Sequence, residues 1–109
     1  MKDRFKFRAW EIDKKKYHYD VQDWYEFFVI DYPEKYIVEQ CTGLKDKNGK
    51  LIYEGDIVRD VTNGKWYNII WHEVNGCWFL EDCASVEYCF LPHEFEVIGN
   101  IHENAELMI

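Results

Sequence analysis

Three cysteines, Cys77, Cys83 and Cys89, recur with five residues between neighbours. Thiolates are what a structural zinc selects, but such sites are built on close pairs such as CxxC, and none is present. A strand from Cys77 to Asp82 would carry Cys77 and Cys83 to opposite ends of the same element, so these residues read as small, half-buried thiols. Three His-Glu dipeptides follow (His72-Glu73, His93-Glu94, His102-Glu103). In a strand, adjacent side chains face opposite ways, so neither partner helps the other grip one ion. Nucleophilic catalysis has little to work with. Ser85, Thr42 and Thr62 are the chain's hydroxyl candidates, no Gly-x-Ser-x-Gly elbow is present, and a thiol–imidazole couple between Cys41 or Cys89 and a histidine has no spacing to support it. Asn48-Gly49 and Glu54-Gly55 are isolated turns rather than a phosphate loop, since no helix follows either. The expectation is a protein without catalytic, cofactor-binding or metal-binding residues, and not an enzyme.

One cationic feature stands out. Arg4, Lys6 and Arg8 alternate with Phe5, Phe7 and Ala9, which places three cations on one face of a strand. Such a ladder could hold phosphates or an acidic partner. The plainer reading is a solvated strand face paired with acidic neighbours.

The elements that must position these groups are strands. Trp10-Glu11-Ile12 continues the first alternation with its apolar side switched, which suggests a bulge or bend near Ala9. Tyr17 to Val21 returns as its hairpin partner. For Asp23 to Tyr32, a capping-box pair (Asp23, Glu26) argues for a short helix, while Phe27-Phe28-Val29-Ile30 reads as a buried strand. A short helix or turn followed by a strand is expected there, ending at Pro33.

Tyr36 to Cys41 is the next strand. It leads into Thr42 to Val58, which holds three of the six glycines. Within it, Asn48-Gly49 suits a type I′ hairpin turn, where both central residues need φ > 0. Further strands are expected over 56–61, 65–72, 77–82, 87–91 and 95–101, with turns at Thr62-Asn63-Gly64 and Val74-Asn75-Gly76. Strands at this spacing suggest a small barrel or sandwich. Lys65 to His72 and Cys77 to Asp82 carry apolar groups on both faces. Trp66, Ile70, Cys77 and Phe79 therefore await cover, from the N-terminal segment or from another chain.

Composition narrows the class. A chain of 109 residues with 48% hydrophobic and 18% aromatic residues is one β-rich domain. Its net charge is −8, yet residues 1–16 sum to +4, leaving −12 on the rest. That field repels a phosphate backbone. The N-terminus lacks the apolar stretch of a signal peptide, and no run is long enough to span a membrane, so a cytoplasmic protein with reduced thiols is expected.

Several motifs together point to a family. They are Phe7-Arg8-Ala9-Trp10, the run Gln40 to Lys50, the segment from Ile52 through Gly55-Asp56 to Val58, and the closing stretch Val97 to Asn104. With these the chain resembles the YopX family, small proteins of phages and prophages. It departs from the family pattern at Cys41 (usually aromatic), His102 (usually Tyr) and Ala105 (usually Pro). The resemblance implies a mainly β fold with an SH3-like barrel in the C-terminal part, and a phage protein working in a bacterial cytoplasm. It implies no active site.

The resulting expectation is a mainly β protein in which an N-terminal hairpin and extended segment (1–41) packs on a small SH3-like barrel (42–109). Its expected task is non-enzymatic protein–protein interaction, with itself or with a host or phage protein. The alternatives are a nucleic-acid-associated regulator using the Arg4/Lys6/Arg8 face and a small enzyme with an unrecognised site. No membrane or small-molecule partner is expected.

Overall fold

A computed structural model describes residues 2–73, 76–81, 86–89 and 95–108. Cys83 and His93 lie outside the described residues, as do the side chains of His72 and Cys89. The architecture is mainly β, two antiparallel sheets curled into a half-barrel. The first sheet has the order β2-β1-β3-β4 and uses β1 (Phe7–Glu11), β2 (Lys16–Tyr19), β3 (Tyr36–Lys45) and β4 (Leu51–Tyr53). The second has the order β8-β7-β6-β5-β9 and uses β5 (Asp56–Asp60), β6 (Trp66–His72), β7 (Cys77–Glu81), β8 (Val86–Cys89) and β9 (Phe95–Asn100). Among the described residues no helix is long and apolar enough to cross a membrane.

Four local expectations need correction. The chain does not enter as a strand at Arg4, because Lys2–Phe5 is a 3-10 turn and β1 begins at Phe7. No bulge occurs at Ala9. β1 pairs in unbroken register with both β2 and β3, and Arg8, Ala9 and Trp10 are all buried. The switch in apolar side thus marks a strand covered on both faces.

The segment after Asp20 holds no strand. Val21–Asp23 and Tyr25–Asp31 are 3-10 turns, with Glu26 and Phe27 both at positive φ. This kink drives Val29 into a small core with Ala9 and Val21, with Phe7, Trp24, Phe27 and Tyr36 packed around it. A straight strand through 27–30 would bury alternate residues only.

Finally, the Asn48-Gly49 turn is not type I′, since only Gly49 has positive φ (+84°). Gly49 N–H donates to the Asp46 carbonyl at 3.0 Å and Asp46 N–H to the Lys50 carbonyl at 2.8 Å. That pattern is a type I turn followed by a left-handed glycine, the three-residue hairpin connection. Asp46 makes it so, because its Oδ1 accepts the N–H groups of Asn48 and Lys50, both at 2.9 Å.

The hand-over expected at 41/42 falls inside β3, which runs unbroken from Tyr36 to Lys45 with a bulge after Cys41. The second sheet's core lies between its inner face and the strands before it: Ile52, Val58, Tyr67, Ile69, Leu80 and Phe95, joined by Leu44, Trp78 and Val97. Of the groups expected to await cover, Trp66 is 39% exposed, while Ile70, Cys77 and Phe79 are half-buried. The C-terminal Ala105–Met108 packs along β6, and Cys77 lines a groove together with Arg4 and Phe5 of the N-terminal segment.

Candidate functional site

Two strands bring the densest chemistry together. β1 turns Arg8 and Trp10 to the face opposite Phe7 and Ala9, and its partner β3 delivers Glu39, registered across from Arg8. The tight connection from β4 to β5 adds Asp56. Arg8 is 2% exposed and forms three directed bonds: Nε to Glu39 Oε1 at 2.8 Å, Nη1 to Asp56 Oδ1 at 2.9 Å, and Nη2 to the Glu54 carbonyl at 3.1 Å. The guanidinium also lies over two aromatic rings, Tyr17 at 4.1 Å and Tyr53 at 4.8 Å.

Glu39 is equally engaged. Its Oε1 also accepts the Tyr17 hydroxyl at 2.9 Å, and its Oε2 meets His102 Nε2 at 2.8 Å. The His102 ring lies parallel on Trp10, with centroids 4.9 Å apart. Asp56 uses its second oxygen to accept the Tyr53 N–H at 2.8 Å. Gly55 is required by this geometry: it has φ +86°, and a Cβ there would stand 2.6 Å from Glu39 Oε2. The N–H of Gly55 reaches the Ile69 carbonyl, and its own carbonyl accepts Ile101 N–H, both at 2.9 Å. The cluster therefore sits where the two sheets join.

Burial governs the titration of these groups. It pushes the Asp56 carboxyl up to about 6, against the pull of Arg8 and the Tyr53 N–H. For Arg8, burial works against the charge, but Asp56 and Glu39 together outweigh it and the guanidinium is held more firmly protonated than usual. Burial also raises the Tyr17 and Tyr53 hydroxyls above the ordinary tyrosine value. Glu54 is raised by burial and by the nearby Glu39 charge. The donors and acceptors of Arg8, Glu39 and Asp56 are thus directed at one another. Chemically the arrangement is a latch between sheets.

The cationic ladder is dissolved by the same geometry. Arg8 is buried in the latch, Lys6 pairs with Asp3 at 3.3 Å, and Arg4 lies exposed in the N-terminal turn. The three share no face. The third His-Glu pair lies in a turn rather than a strand, and its members diverge: His102 goes to Glu39, while Glu103 accepts from Asn100 at 2.9 Å. Cys41 is fully buried, and burial raises its thiol pKa. Cys77 is half-buried at the start of β7.

Residues 21–109 match the family described as YopX protein. The chain belongs to the YopX family. The crystal structure of protein EF1440 from Enterococcus faecalis is similar, with 27% identity and a TM-score of 0.65 over 95% of this chain and 97% of that one. No curated protein matches. The segment matched to the YopX family contains Glu39, Gly55, Asp56 and His102, while Arg8, Trp10 and Tyr17 precede it.

Sequence reasoning missed the latch altogether. One signal was available: Arg8 and Trp10 share a strand face, and a cation beside a tryptophan on a strand covered on both sides needs buried carboxylates.

The surface offers a different feature. The kinked segment after Trp24 lays aromatic rings side by side. Phe28 stacks on Trp24 at 5.5 Å and meets Tyr32 and Tyr36 edge-on at 6.3 and 6.1 Å. Phe28, Tyr32, Lys35 and Tyr36 line a shallow hollow of about 220 Å³. Tyr32 is 44% exposed, and neighbouring Tyr25 and Ile30 are more so.

Proposed function

We propose that this YopX protein is a phage- or prophage-encoded, non-enzymatic protein–protein interaction module that works in the bacterial cytoplasm. The aromatic shelf of Phe28, Tyr32 and Tyr36 carries the reading. Rings held side by side around an open hollow are a surface that gains by being covered, and aromatic anchors of this kind dominate protein interfaces. The acidic balance of residues 17–109 favours a partner with basic patches around such an anchor.

The nucleic-acid alternative has lost the ladder that motivated it, since Arg8 is buried and paired. An enzymatic reading finds little support in the latch, whose acid and base groups already engage one another.

Sedimentation velocity over a wide concentration range, with wild type and Phe28→Glu/Tyr32→Glu, tests the reading. Expected is either a dimer that the double variant dissociates, or a monomer whose host partner is captured by wild type and lost by the variant. A monomer at every concentration, with the same captured proteins for both chains, overturns it.

A further inference from the structure

A groove of about 460 Å³ opens on another part of the molecule, between the N-terminal turn, β3 and the end of the β6–β7 hairpin. Trp71 and Trp78 form one wall, edge to face at 5.0 Å, with Trp71 44% exposed. Phe5, 58% exposed, and Leu44 extend the apolar lining. Arg4 stands at the mouth with its guanidinium 5.0 Å above the Phe5 ring, and no carboxylate among the described residues lies within ion-pair distance of it.

The mouth is pre-built. Gln40 Nε2 donates to the Arg4 carbonyl at 2.7 Å, and the Arg4 Cβ fills the space left by Gly43, where an added Cβ would stand 3.0 Å away. The turn carrying the cation is thereby fixed on β3 before any ligand arrives, which lowers the ordering cost of binding.

We propose that this groove binds an acidic peptide segment of a partner protein, with a large apolar side chain against Trp71 and Trp78 and an adjacent carboxylate on Arg4. The charge distribution supports that chemistry. Among the described residues that line the groove Arg4 is the one cation and none is a carboxylate, and the neighbouring Asp3 is engaged by Lys6 at 3.3 Å, so the groove mouth attracts a carboxylate locally. The net charge of −8 on the whole chain repels a polyanion of many phosphates far more than a peptide with one or two carboxylates. The edge-to-face Trp pair also forms a cleft for a side chain rather than parallel platforms for successive bases. The site shares no residue with the shelf of Phe28, Tyr32 and Tyr36, so each reading can fail without the other.

A ¹H–¹⁵N NMR titration tests the groove. The probes are the blocked peptide acetyl-Leu-Glu-Phe-Asp-amide, its Gln/Asn counterpart and a thymidine decamer. Expected are saturable shifts of the Trp71 and Trp78 indole N–H resonances with the acidic peptide, and binding of the uncharged counterpart weaker by at least about fivefold. Arg4→Gln, at an exposed position, should reduce the acidic peptide to the level of its counterpart. Trp71→Ala should abolish binding while the spectrum stays dispersed, and Phe28→Glu should leave it unchanged. Absence of shifts at the two indoles up to millimolar peptide overturns the proposal. So does equal affinity for both peptides, unchanged binding by Arg4→Gln, or tighter binding of the thymidine decamer. Should Trp71→Ala unfold, the Arg4→Gln comparison alone decides.

Discussion

Arg8 and Arg4 are four residues apart on the same N-terminal segment, and the fold treats them in opposite ways. Arg8 is buried with two carboxylates, a carbonyl and two tyrosine rings around it. Arg4 is exposed over one phenylalanine at the mouth of a groove. The difference teaches how to separate structure from recognition in a chain without catalytic signatures. A polar group whose partners all come from its own chain belongs to the fold. A cation beside an exposed tryptophan, with no carboxylate among the described residues within ion-pair distance, is a group left for something else.

The largest test of this contrast is to delete each guanidinium. Arg8→Ala leaves Glu39 and Asp56 as buried carboxylates without their cation and should cost about 3–5 kcal/mol in urea unfolding. Arg4→Ala should stay within about 0.5 kcal/mol. Similar losses for both would erase the distinction. The same experiment separates stability from binding, since Arg4 variants should weaken the acidic peptide without moving the unfolding midpoint.

Glycines at the two places sharpen the comparison at a smaller scale. Gly55→Ala forces a side chain into the left-handed region and against a Glu39 carboxylate that three donors hold in place, for roughly 3 kcal/mol. Gly76, at the groove, has φ +62° with nothing within 4 Å of an added Cβ, so Gly76→Ala should cost only the backbone strain of about 1 kcal/mol. Thermal unfolding of the pair checks the order, and a reversed order means that the latch has more slack than its geometry allows.

The smallest effect is one of pH. Asp56 titrates at about 6 in the folded chain, above the roughly 3.9 of an unfolded aspartate. The folded state therefore keeps this proton longer. The group's contribution is fully present below about pH 4 and is lost as pH rises through about 6. Stability of wild type relative to Asp56→Asn should accordingly decline between those limits. Asp46 works the other way. Burial raises its carboxyl, but N–H bonds from Val97, Lys50 and Asn48 together pull it lower, so its contribution is present above the ordinary carboxylate range and fades as pH falls. A wild type minus Asp56→Asn difference that is flat with pH would place the Asp56 carboxyl in an ordinary environment.

Much of the local architecture was readable from residue types. Alternation located strands close to where they lie, from β1 and its hairpin partner to β9, because a period of two is imposed by the pleat itself. The turns at Asn48-Gly49 and Thr62 to Gly64 were found for a similar reason, although Asp46 rather than Asn48 decided the type of the first through two side-chain bonds, and the turn expected at Val74-Asn75-Gly76 lies partly outside the described residues. Where alternation was taken as burial on one face, the reading failed. Arg8 belongs to a ladder of cations by spacing, yet β2 and β3 flank its strand and buried residues cover both faces of it.

The sequence by itself determined a β-rich chain, its turn positions, its charge asymmetry and its family resemblance, since each depends on residues near one another along the chain. Tertiary structure alone decided which cation is satisfied. The hydrogen-bonding partners of Arg8, Glu39, Glu54 and Asp56, are 31, 46 and 48 residues away, and His102 meets Glu39 across 63. Local periodicity assigns a side chain to a face. Only the pairing of β1 with β3, and the closure of one sheet on the other through Gly55, decides what that face meets. The groove has the same origin, because Arg4 comes from the N-terminal turn and the two tryptophans from β6 and β7 of the second sheet, and the fold brings them to line one hollow.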